Sequence, residues 1–303
     1  MADEWNRFVA RSKNATFLHD RRYMDYHADR FADHSLLVFR GQRLYALLPG
    51  NTSNGTFYSH QGLTYGGLLT DGQATADGVC EAFLAVNDAL RAGGIHHVVY
   101  KPVPHIFHRQ PAEEDLYALF LRCGARLTER DVSATIDLAC RPRFAESRRS
   151  GLRKALREGL QVQESRNITA FWQVLVENLR QKYDARPVHT VDEISLLMAR
   201  FPDSIRLFLV TDSQEHILGG TLLYLSAQVV HTQYISASAE GKRLGAVDLL
   251  FDRLLSMAWG SRRYFDFGTS AQDDCCELKL PLFFQKCGFG ARSVCYDTYA
   301  YDL

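Results

Sequence analysis

Two stretches of this chain carry similar runs of residues in the same order. Phe-Leu-Arg-Cys-Gly-Ala-Arg occupies positions 120–126, and Phe-Gln-Lys-Cys-Gly-Phe-Gly-Ala-Arg occupies positions 284–292. Aligning their Cys-Gly steps gives an offset of 288 − 124 = 164 residues, and the upstream pair Gly94 and Gly260 gives 260 − 94 = 166. Each stretch follows an apolar-periodic helix. Self-similarity at nearly one offset indicates a duplicated domain.

Length and composition agree with a duplication and exclude several classes of protein. The 303 residues are more than one hydrophobic core usually serves. Basic and acidic residues balance at 35 each, so no global positive charge attracts DNA or anionic lipid. The 7 cysteines lack metal-ligand or disulfide spacing, and no segment predicts a signal peptide or a transmembrane helix. We therefore expect a cytoplasmic protein without a bound metal.

The periodicity of apolar residues predicts alternating helices and strands in both halves. In the second half we expect helices at 168–183, 194–201, 247–258 and 280–286, and strands at 206–211, 219–225, 229–237, 263–267 and 292–301. In the first half we expect a hairpin at 36–48, helices at 74–90 and 113–123, and strands at 97–101 and 133–138. Between the halves, Arg and Lys predominate in a predicted helical link.

The second half ends with motifs that resemble those of known acyltransferases. Phe265–Ser270 reads Phe-Asp-Phe-Gly-Thr-Ser, and the helix that follows ends in Phe-Gln-Lys-Cys-Gly at 284–288. These motifs and the element order resemble the tandem-GNAT, Fem-like acyltransferases, in particular the shorter forms linked to bacterial surface-polysaccharide gene clusters. The resemblance covers essentially the whole chain. It implies an α/β fold with mixed sheets, built as two tandem GNAT-like domains, 1–140 and 161–303, joined by the basic helical link 141–160.

The resemblance also implies where acyl-CoA binds. In GNAT enzymes the diphosphate lies at the start of the helix after the fourth strand, where free amides and the helix dipole favour an anion. That place is 238–246 here, although Val247 stands where the family has a small residue. An ordinary solvated helix start is the alternative. The residues expected to bind acyl-CoA are Lys242, Arg243, Gly245, Ser236 and Ser270.

Four residues are expected to carry the chemistry: Lys286, Asp266, His189 and Tyr299. Asp266 lies among apolar neighbours, so we expect burial to raise its pKa toward that of a useful general base, or else the side chain to cap the following loop. His189 is a second candidate base. Lys286 ends a short helix, where we expect it to be exposed and to stabilise developing charge; the resemblance implies contact with a phosphate. Tyr299 is expected to protonate the leaving thiolate.

The residues expected to bind the acceptor are Tyr65, Lys101, His105, His108, His231 and Gln233. Strand periodicity predicts that His231, Gln233 and Ile235 share one face of the sheet, where the two polar residues line a cleft or form a half-buried pair. The members of the set from the first half surround one predicted strand end. They resemble an acceptor pocket because no nucleophile lies among them.

We expect acyl transfer from acetyl-CoA to an amine, on a nucleotide sugar or a surface-polysaccharide precursor, without a covalent enzyme intermediate. One alternative is aminoacyl transfer from charged tRNA, whose backbone the basic link suits, although the link is too short for the coiled-coil arm of Fem enzymes that use tRNA. Another is a non-catalytic module that binds a ligand or partner. The acyl group, the active copy and the oligomeric state, a homo-oligomer included, stay open.

Overall fold

The computed structural model describes residues 2–183, 185–270 and 277–303. Its helices are α1 (Ala2–Arg11), α2 (Arg21–Met24), α3 (Ala76–Ala92), α4 (Glu114–Ala118), α5 (Glu146–Arg157), α6 (Ile168–Tyr183), α7 (Val191–Arg200), α8 (Ala239–Leu244), α9 (Ala246–Ser256) and α10 (Leu280–Cys287). Its strands are β1 (Leu36–Arg40), β2 (Arg43–Leu48), β3 (Asn51–Ser53), β4 (Thr56–Tyr58), β5 (Leu69–Thr70), β6 (His97–Tyr100), β7 (Arg126–Asp137), β8 (Gln161–Ser165), β9 (Ile205–Thr211), β10 (Ile217–Leu225), β11 (Val229–Ala237), β12 (Tyr264–Thr269) and β13 (Arg292–Asp302).

The chain divides into two compact units. The first unit holds Met1–Asp131 together with Cys295–Leu303, and the second holds Val132–Val294. The second half of β7 therefore belongs to the second unit, and most of β13 belongs to the first. The predicted domain boundaries at residues 140 and 161 stay a prediction.

The first unit contains a small antiparallel sheet and a mixed sheet. The small sheet has the strand order β1-β2-β5. In the mixed sheet β4 runs parallel to β6, and β13 pairs with β6 in the antiparallel direction. The long helix α3 packs against α4, and its buried residues Val79, Phe83, Val86 and Leu90 join the core of this unit. The amphipathic period of α3 explains this burial, because one face of the helix is apolar.

The second unit is one mixed sheet with helices on it. Its strand order is β7-β12-β11-β10-β9-β8, and β11 and β12 are the parallel neighbours. The strands β8 to β11 form an antiparallel meander with register fixed along most of its length. Helices α5 and α9 pack together, and α9 also contacts the meander. The core between α9 and the sheet is rich in aromatic residues: Phe251, Phe265, Phe267 and Phe289.

The predicted α/β class is confirmed, and so are most of its elements. The predicted meander is β9 to β11, and the predicted basic link contains the helix α5. Several elements differ from prediction: α1, α2, α8, β3, β4 and β5 were not predicted, and β7 begins at Arg126 rather than at residue 133. Strand β8 was not anticipated, because Gln-Val-Gln-Glu-Ser holds a single apolar residue; it forms the edge of the sheet beside β9. The predicted helix at 113–123 ends in a π-helical turn, Leu119–Cys123, which stops at the left-handed Gly124.

Within the described ranges, every helix is too short or too polar to cross a membrane.

Candidate active site in the second unit

The parallel pairing of β11 and β12 is short and ends at a charged pair. Three residue pairs are in register, and the last of them joins His231 to Asp266. β11 continues to Ala237, so the two strands separate beyond this pair. His231 Nδ1 lies 2.7 Å from Asp266 Oδ2. The Asp266 side chain is 0% exposed and that of His231 is 14% exposed, so the imidazole is the member of the pair that solvent and substrate can reach.

Asp266 receives two further hydrogen bonds from β7. Ser133 Oγ donates to Oδ1 at 2.5 Å, and Thr135 Oγ1 donates to the same oxygen at 2.6 Å. Burial by itself would raise the pKa of Asp266, but the bond and charge of His231, together with the two hydroxyls, lower it below its usual value. The expected rise in this pKa was wrong, because periodicity along one strand does not reveal donors on the neighbouring strands.

The ionised Asp266 fixes the tautomer of His231. A carboxylate only accepts hydrogen bonds, so the neutral imidazole carries its proton on Nδ1 and presents the lone pair of Nε2. Gly268 makes room for this ring. Its φ is +74°, and a Cβ built there would lie 3.3 Å from His231 Cε1 and 3.9 Å from Nε2. A larger residue would crowd the ring and strain the backbone.

Lys286 reaches the same strand end from α10. Its Nζ donates to the carbonyl oxygens of Gly268 at 2.9 Å and Thr269 at 2.8 Å. The residue is only 6% exposed, so the expected exposure of Lys286 was wrong. Burial lowers its pKa to about 8, and the charge of Asp266 opposes that change. The ammonium therefore holds the end of β12 and partly balances the buried carboxylate.

A β-bulge decides which residues of β11 share a face with His231. Leu222 pairs with Tyr234 and Leu223 with Thr232, which leaves Gln233 as the extra residue. Val230 and Ile235 both pack on the aromatic core, although five positions separate them. The predicted common face for His231, Gln233 and Ile235 was therefore wrong.

Because the bulge shifts the alternation, His231 lies on the face opposite the aromatic core, together with Tyr234 and Ser236. Helix α6 covers that face: the Trp172 ring meets the Tyr234 ring edge-to-face at 5.1 Å, and Ser236 Oγ donates to Val174 O at 3.3 Å. Ser236 thus serves a helix contact in this structure.

His189 is brought to the same face from the loop before α7. The residue is buried, and its Nδ1 lies 2.6 Å from the hydroxyl of Tyr234. The two rings also meet edge-to-face with centroids 5.8 Å apart. His189 thus contacts Tyr234, which lies on the same face of β11 as His231 and three residues after it.

The predicted acyl-CoA site lies at the junction of α8 and α9. Gly245 ends α8 and precedes α9 with a φ of +80°, and a Cβ there would meet Gly151 O of α5 at 2.3 Å. Asp248, in the first turn of α9, pairs with Arg148 of α5 at 3.0 Å. Burial raises the pKa of Asp248 to about 6 against the opposing effect of Arg148. The start of α9 therefore already faces a carboxylate and a close-packed helix.

A cavity of about 400 Å³ opens beside this junction. Its lining includes Arg148, Lys242, Asp248 and the exposed Phe284. Lys242 Nζ also bonds to Asn178 Oδ1, whereas Arg243 pairs with Glu240 at 3.2 Å and does not line the cavity.

Ser270 directly follows the last residue of β12. It is buried, and its Oγ has no hydrogen-bond partner in the described part of the chain.

The remaining predicted site residues lie in the first unit. Tyr299 belongs to β13, where its hydroxyl donates to Asp297 at 3.2 Å; burial and that carboxylate raise its pKa. Tyr65 is a core residue whose ring packs 4.6 Å from that of Phe107. His108 Nε2 lies 2.8 Å from Val103 O and braces its own loop. His105 is exposed, and Lys101 lines a cavity together with Ser59 and His60.

Sequence reasoning missed the residues that position the predicted ones. Ser133 and Thr135 alternate with the core residues Ala134 and Ile136, and this period-two polar pattern was the available signal. Asp248 in the first turn of α9 was a weaker signal, because an acid there is common at helix starts. Among residues 2–183, 185–270 and 277–303, no three His, Cys, Asp or Glu side chains are grouped to hold a metal ion.

Comparisons with known proteins concern the domain family and the fold. Residues 144–274 match the acetyltransferase (GNAT) domain family. The solved structure of FemX matches with a TM-score of 0.73 and 12% identity, covering 100% of this chain and 96% of that one. L-PGS from Bacillus licheniformis matches with a TM-score of 0.65 and 13% identity, covering 99% and 90%.

A third solved structure is the C-terminal domain of a putative lysylphosphatidylglycerol synthetase from Agrobacterium fabrum. It has a TM-score of 0.60 and 12% identity, covering 92% of this chain and 90% of that one. No curated protein matches the chain. At these identities the structural likeness concerns the fold. Residues 144–274 therefore match a GNAT acetyltransferase domain, and the chain as a whole has the fold of FemX.

Proposed function

We propose that the second unit catalyses transfer of an acyl group to an amine, with His231 as the general base. The observation that supports this most directly is the His231–Asp266 pair at the point where β11 and β12 separate. An imidazole oriented by a buried, ionised carboxylate is suited to take a proton near neutral pH. Asp266 itself is then a positioning residue, because both of its oxygens are occupied.

The proposed reaction needs no covalent enzyme intermediate. The amine nitrogen attacks the acyl carbonyl carbon, the new C–N bond forms, and the bond from that carbon to the leaving group breaks. His231 Nε2 takes the proton that the nitrogen loses. The Tyr234 hydroxyl, held by His189, is our candidate to supply a proton to the leaving group, because it lies on the same face of β11. Holding both substrates in this orientation supplies much of the rate.

Acyl-CoA is the first candidate donor. The cavity beside α9 offers the cations Lys242 and Arg148 and the first amides of an eleven-residue helix, and such groups favour a diphosphate. When bound, acyl-CoA would supply a thioester, whose thiolate is a good leaving group. The proposed acceptor, an amine on a nucleotide sugar or a surface-polysaccharide precursor, follows from the family resemblance alone. The proposed cytoplasmic location follows from the cysteine pattern and from the lack of a predicted signal peptide.

Aminoacyl transfer from charged tRNA is the second candidate. It is favoured by the fit at the start of α9, where the Asp248 carboxylate and the backbone of Gly151 lie close to the place a diphosphate would take. The neighbouring helix α5 and its preceding turn expose basic side chains that suit a phosphate backbone: Arg143, Arg149, Arg153 and Arg157. The name of the Agrobacterium fabrum relative, which concerns a lysyl lipid, also points to aminoacyl chemistry.

One experiment tests the reaction class. Purified protein is given acetyl-CoA and a panel of amino-sugar nucleotides, and release of free thiol is followed. We expect His231→Gln to lower kcat by about 10²–10⁴. His216→Gln is the matched control, because His216 has a similar Asp partner at 3.0 Å on an exposed turn. Full turnover in His231→Gln would overturn the assignment of the base.

The donor is decided by binding measurements. If acyl-CoA is the donor, Lys242→Ala weakens its binding, whereas Arg243→Ala, whose side chain lies outside the cavity, leaves binding unchanged. Binding of charged tRNA that falls steeply with salt, with none of acetyl-CoA, would support the second candidate. Saturable ligand binding without turnover of any substrate pair would instead support the non-catalytic reading.

A further inference from the structure

A small cavity lies at the corresponding strand separation of the first unit. There β4 and β6 run parallel, and their last register pair joins Tyr58 to Val99. A cavity of about 240 Å³ opens beyond this pair, with Ser59, His60, Lys101 and Glu129 in its lining. Its volume is below the usual range for drug-sized ligands, so it suits a smaller molecule.

This cavity lacks the acid–base pair of the second unit. The register position that holds His231 and Asp266 there is taken here by Tyr58 and Val99. A tyrosine beside a valine does not form an oriented imidazole–carboxylate pair. The cavity therefore has the features of a binding site rather than a second catalytic centre.

His60 is a largely buried residue in the lining of this cavity. It is 4% exposed, and its backbone is held in the left-handed region with a φ of +75°, a strained state that is often found where a ligand is clamped. Its Nδ1 accepts a hydrogen bond from Gly62 N at 3.2 Å. Burial lowers the pKa of His60 to about 4, so the ring is neutral and its proton lies on Nε2.

The Nε2–H of His60 has no hydrogen-bond partner among the described residues. A ligand oxygen in the cavity would give this donor a hydrogen-bond partner. Ser59 Oγ accepts from the Lys101 backbone amide at 2.7 Å, and no hydrogen bond joins it to His60 among the described residues.

Two opposite charges face the same cavity without neutralising each other. The described part of the chain shows no ion pair or side-chain hydrogen bond for Lys101 or for Glu129, although both line the cavity. Asp131 adds a second carboxylate nearby on β7, and burial together with the charge of Glu129 raises its pKa. The lining of the cavity thus offers a cation, a neutral N–H and a carboxylate.

We propose that this cavity binds a small zwitterion of the α-amino acid type, with its carboxylate on Lys101 and His60 Nε2–H and its ammonium on Glu129. The ligand supplies a partner for each of three polar groups, on Lys101, His60 and Glu129, that have none among the described residues. The inference does not rest on the proposed acyl transfer, because it concerns binding to the first unit only.

Titration calorimetry tests the proposal with three probes. L-alanine has both charges, N-acetyl-L-alanine lacks the ammonium, and L-alaninamide lacks the carboxylate. We expect L-alanine to bind and each blocked analogue to bind about 10- to 100-fold more weakly, since one charge-assisted hydrogen bond is lost in each. Lys101→Met and Glu129→Gln, which keep the size of the side chains, should each weaken L-alanine binding by a similar factor.

His231→Gln is the control for the location of the site, and it should bind L-alanine as the unaltered protein does. No binding of any probe would overturn the proposal. Equal binding of L-alanine and N-acetyl-L-alanine would also overturn it, because the site would then recognise an anion rather than a zwitterion. Loss of binding in His231→Gln would place the site elsewhere and overturn it as well.

Discussion

His231 Nδ1 lies 2.7 Å from Asp266 Oδ2 at the last register pair of two parallel strands. The contact depends on the strands being parallel and in register up to this point, and on their separating directly afterwards. The pairing of β11 with β12 holds the imidazole against Asp266, and the separation of the two strands leaves space beside the ring. The geometry of the sheet therefore orients His231, the proposed general base.

We expect Asp266→Asn to change the tautomer of His231. An amide does not stabilise the imidazolium, and its NH₂ group can donate to Nδ1, so the lone pair would move away from Nε2. Nitrogen NMR of the imidazole should show the tautomer change, and kcat should fall by about 10²–10⁴. Asp212→Asn, at the exposed pair with His216, should leave His231 and kcat unchanged. An unaltered His231 spectrum in Asp266→Asn would contradict the assignment.

The hydroxyl of Thr135 should stabilise the fold through Asp266. Thr135→Val keeps the shape of the side chain but removes one of the donors to a fully buried carboxylate. We expect a loss of about 1–3 kcal/mol in the free energy of unfolding, measured by urea denaturation. Thr232→Val on the neighbouring strand β11 is the matched control, because Thr232 Oγ1 is buried without a hydrogen-bond partner in the described chain. That variant should be neutral or more stable; equal losses would show that the Asp266 bond contributes nothing.

The sequence predicts the secondary structure more closely than it predicts the hydrogen-bond partners of Asp266. The order of helices and strands follows from local periodicity, so β9 to β13 were predicted closely. The charged pair was not, because it joins residues 35 positions apart through the parallel register of β11 and β12. The donors Ser133 and Thr135 are still farther away in sequence, 133 and 131 positions from Asp266.

The burial of the Lys286 side chain at a helix end could not be predicted from the sequence either. Lys286 was expected to be exposed because a basic residue at a helix end is usually solvated. The direction in which α10 meets the end of β12 turns this lysine inward instead. The bulge at Gln233 had a similar effect, since one extra residue exchanges the two faces of a strand.

Gly245 should tolerate substitution far less well than another left-handed glycine. Gly159→Ala, at a φ of +71° with nothing within 4 Å of the new Cβ, should cost about 1–2 kcal/mol for the backbone alone. Gly245→Ala adds a clash with Gly151 O at 2.3 Å to a similar backbone cost, so we expect about 2–5 kcal/mol in total. Urea denaturation of both variants measures the difference. Equal costs would show that α5 does not pack tightly on the start of α9.

Acid should destabilise the first unit through its buried histidines. Burial lowers the pKa of His19 from 6.5 to about 4. As the pH falls from 6.5 toward 4, the unfolded chain takes up a proton that folded His19 does not, so the free energy of unfolding decreases by on the order of 3 kcal/mol. His19→Asn, which keeps an acceptor for the Thr16 amide, should flatten this pH dependence. The exposed His96→Asn should leave it unchanged, and an identical slope in His19→Asn would refute the assignment.

Lys286 should matter for stability as well as for turnover. Lys286→Met keeps the length of the side chain but leaves the carbonyl oxygens of Gly268 and Thr269 without their buried donor. We expect a loss of about 1–3 kcal/mol at pH 7, together with a lower kcat because the end of β12 is no longer held against His231. Lys242→Met, at an exposed lysine, should change stability by less than about 0.5 kcal/mol.

The pH dependence separates a buried ammonium from an ordinary surface lysine. Because burial lowers the pKa of Lys286 from 10.5 to about 8, the folded protein releases this proton earlier than the unfolded chain. The free energy of unfolding therefore rises between pH 8 and 10.5, by about 1.4 kcal/mol for each pH unit. Relative to Lys286→Met, the unaltered protein should gain about 2 kcal/mol between pH 8 and 9.5. A difference that stays constant over this range would mean that Lys286 keeps the titration of a solvated lysine.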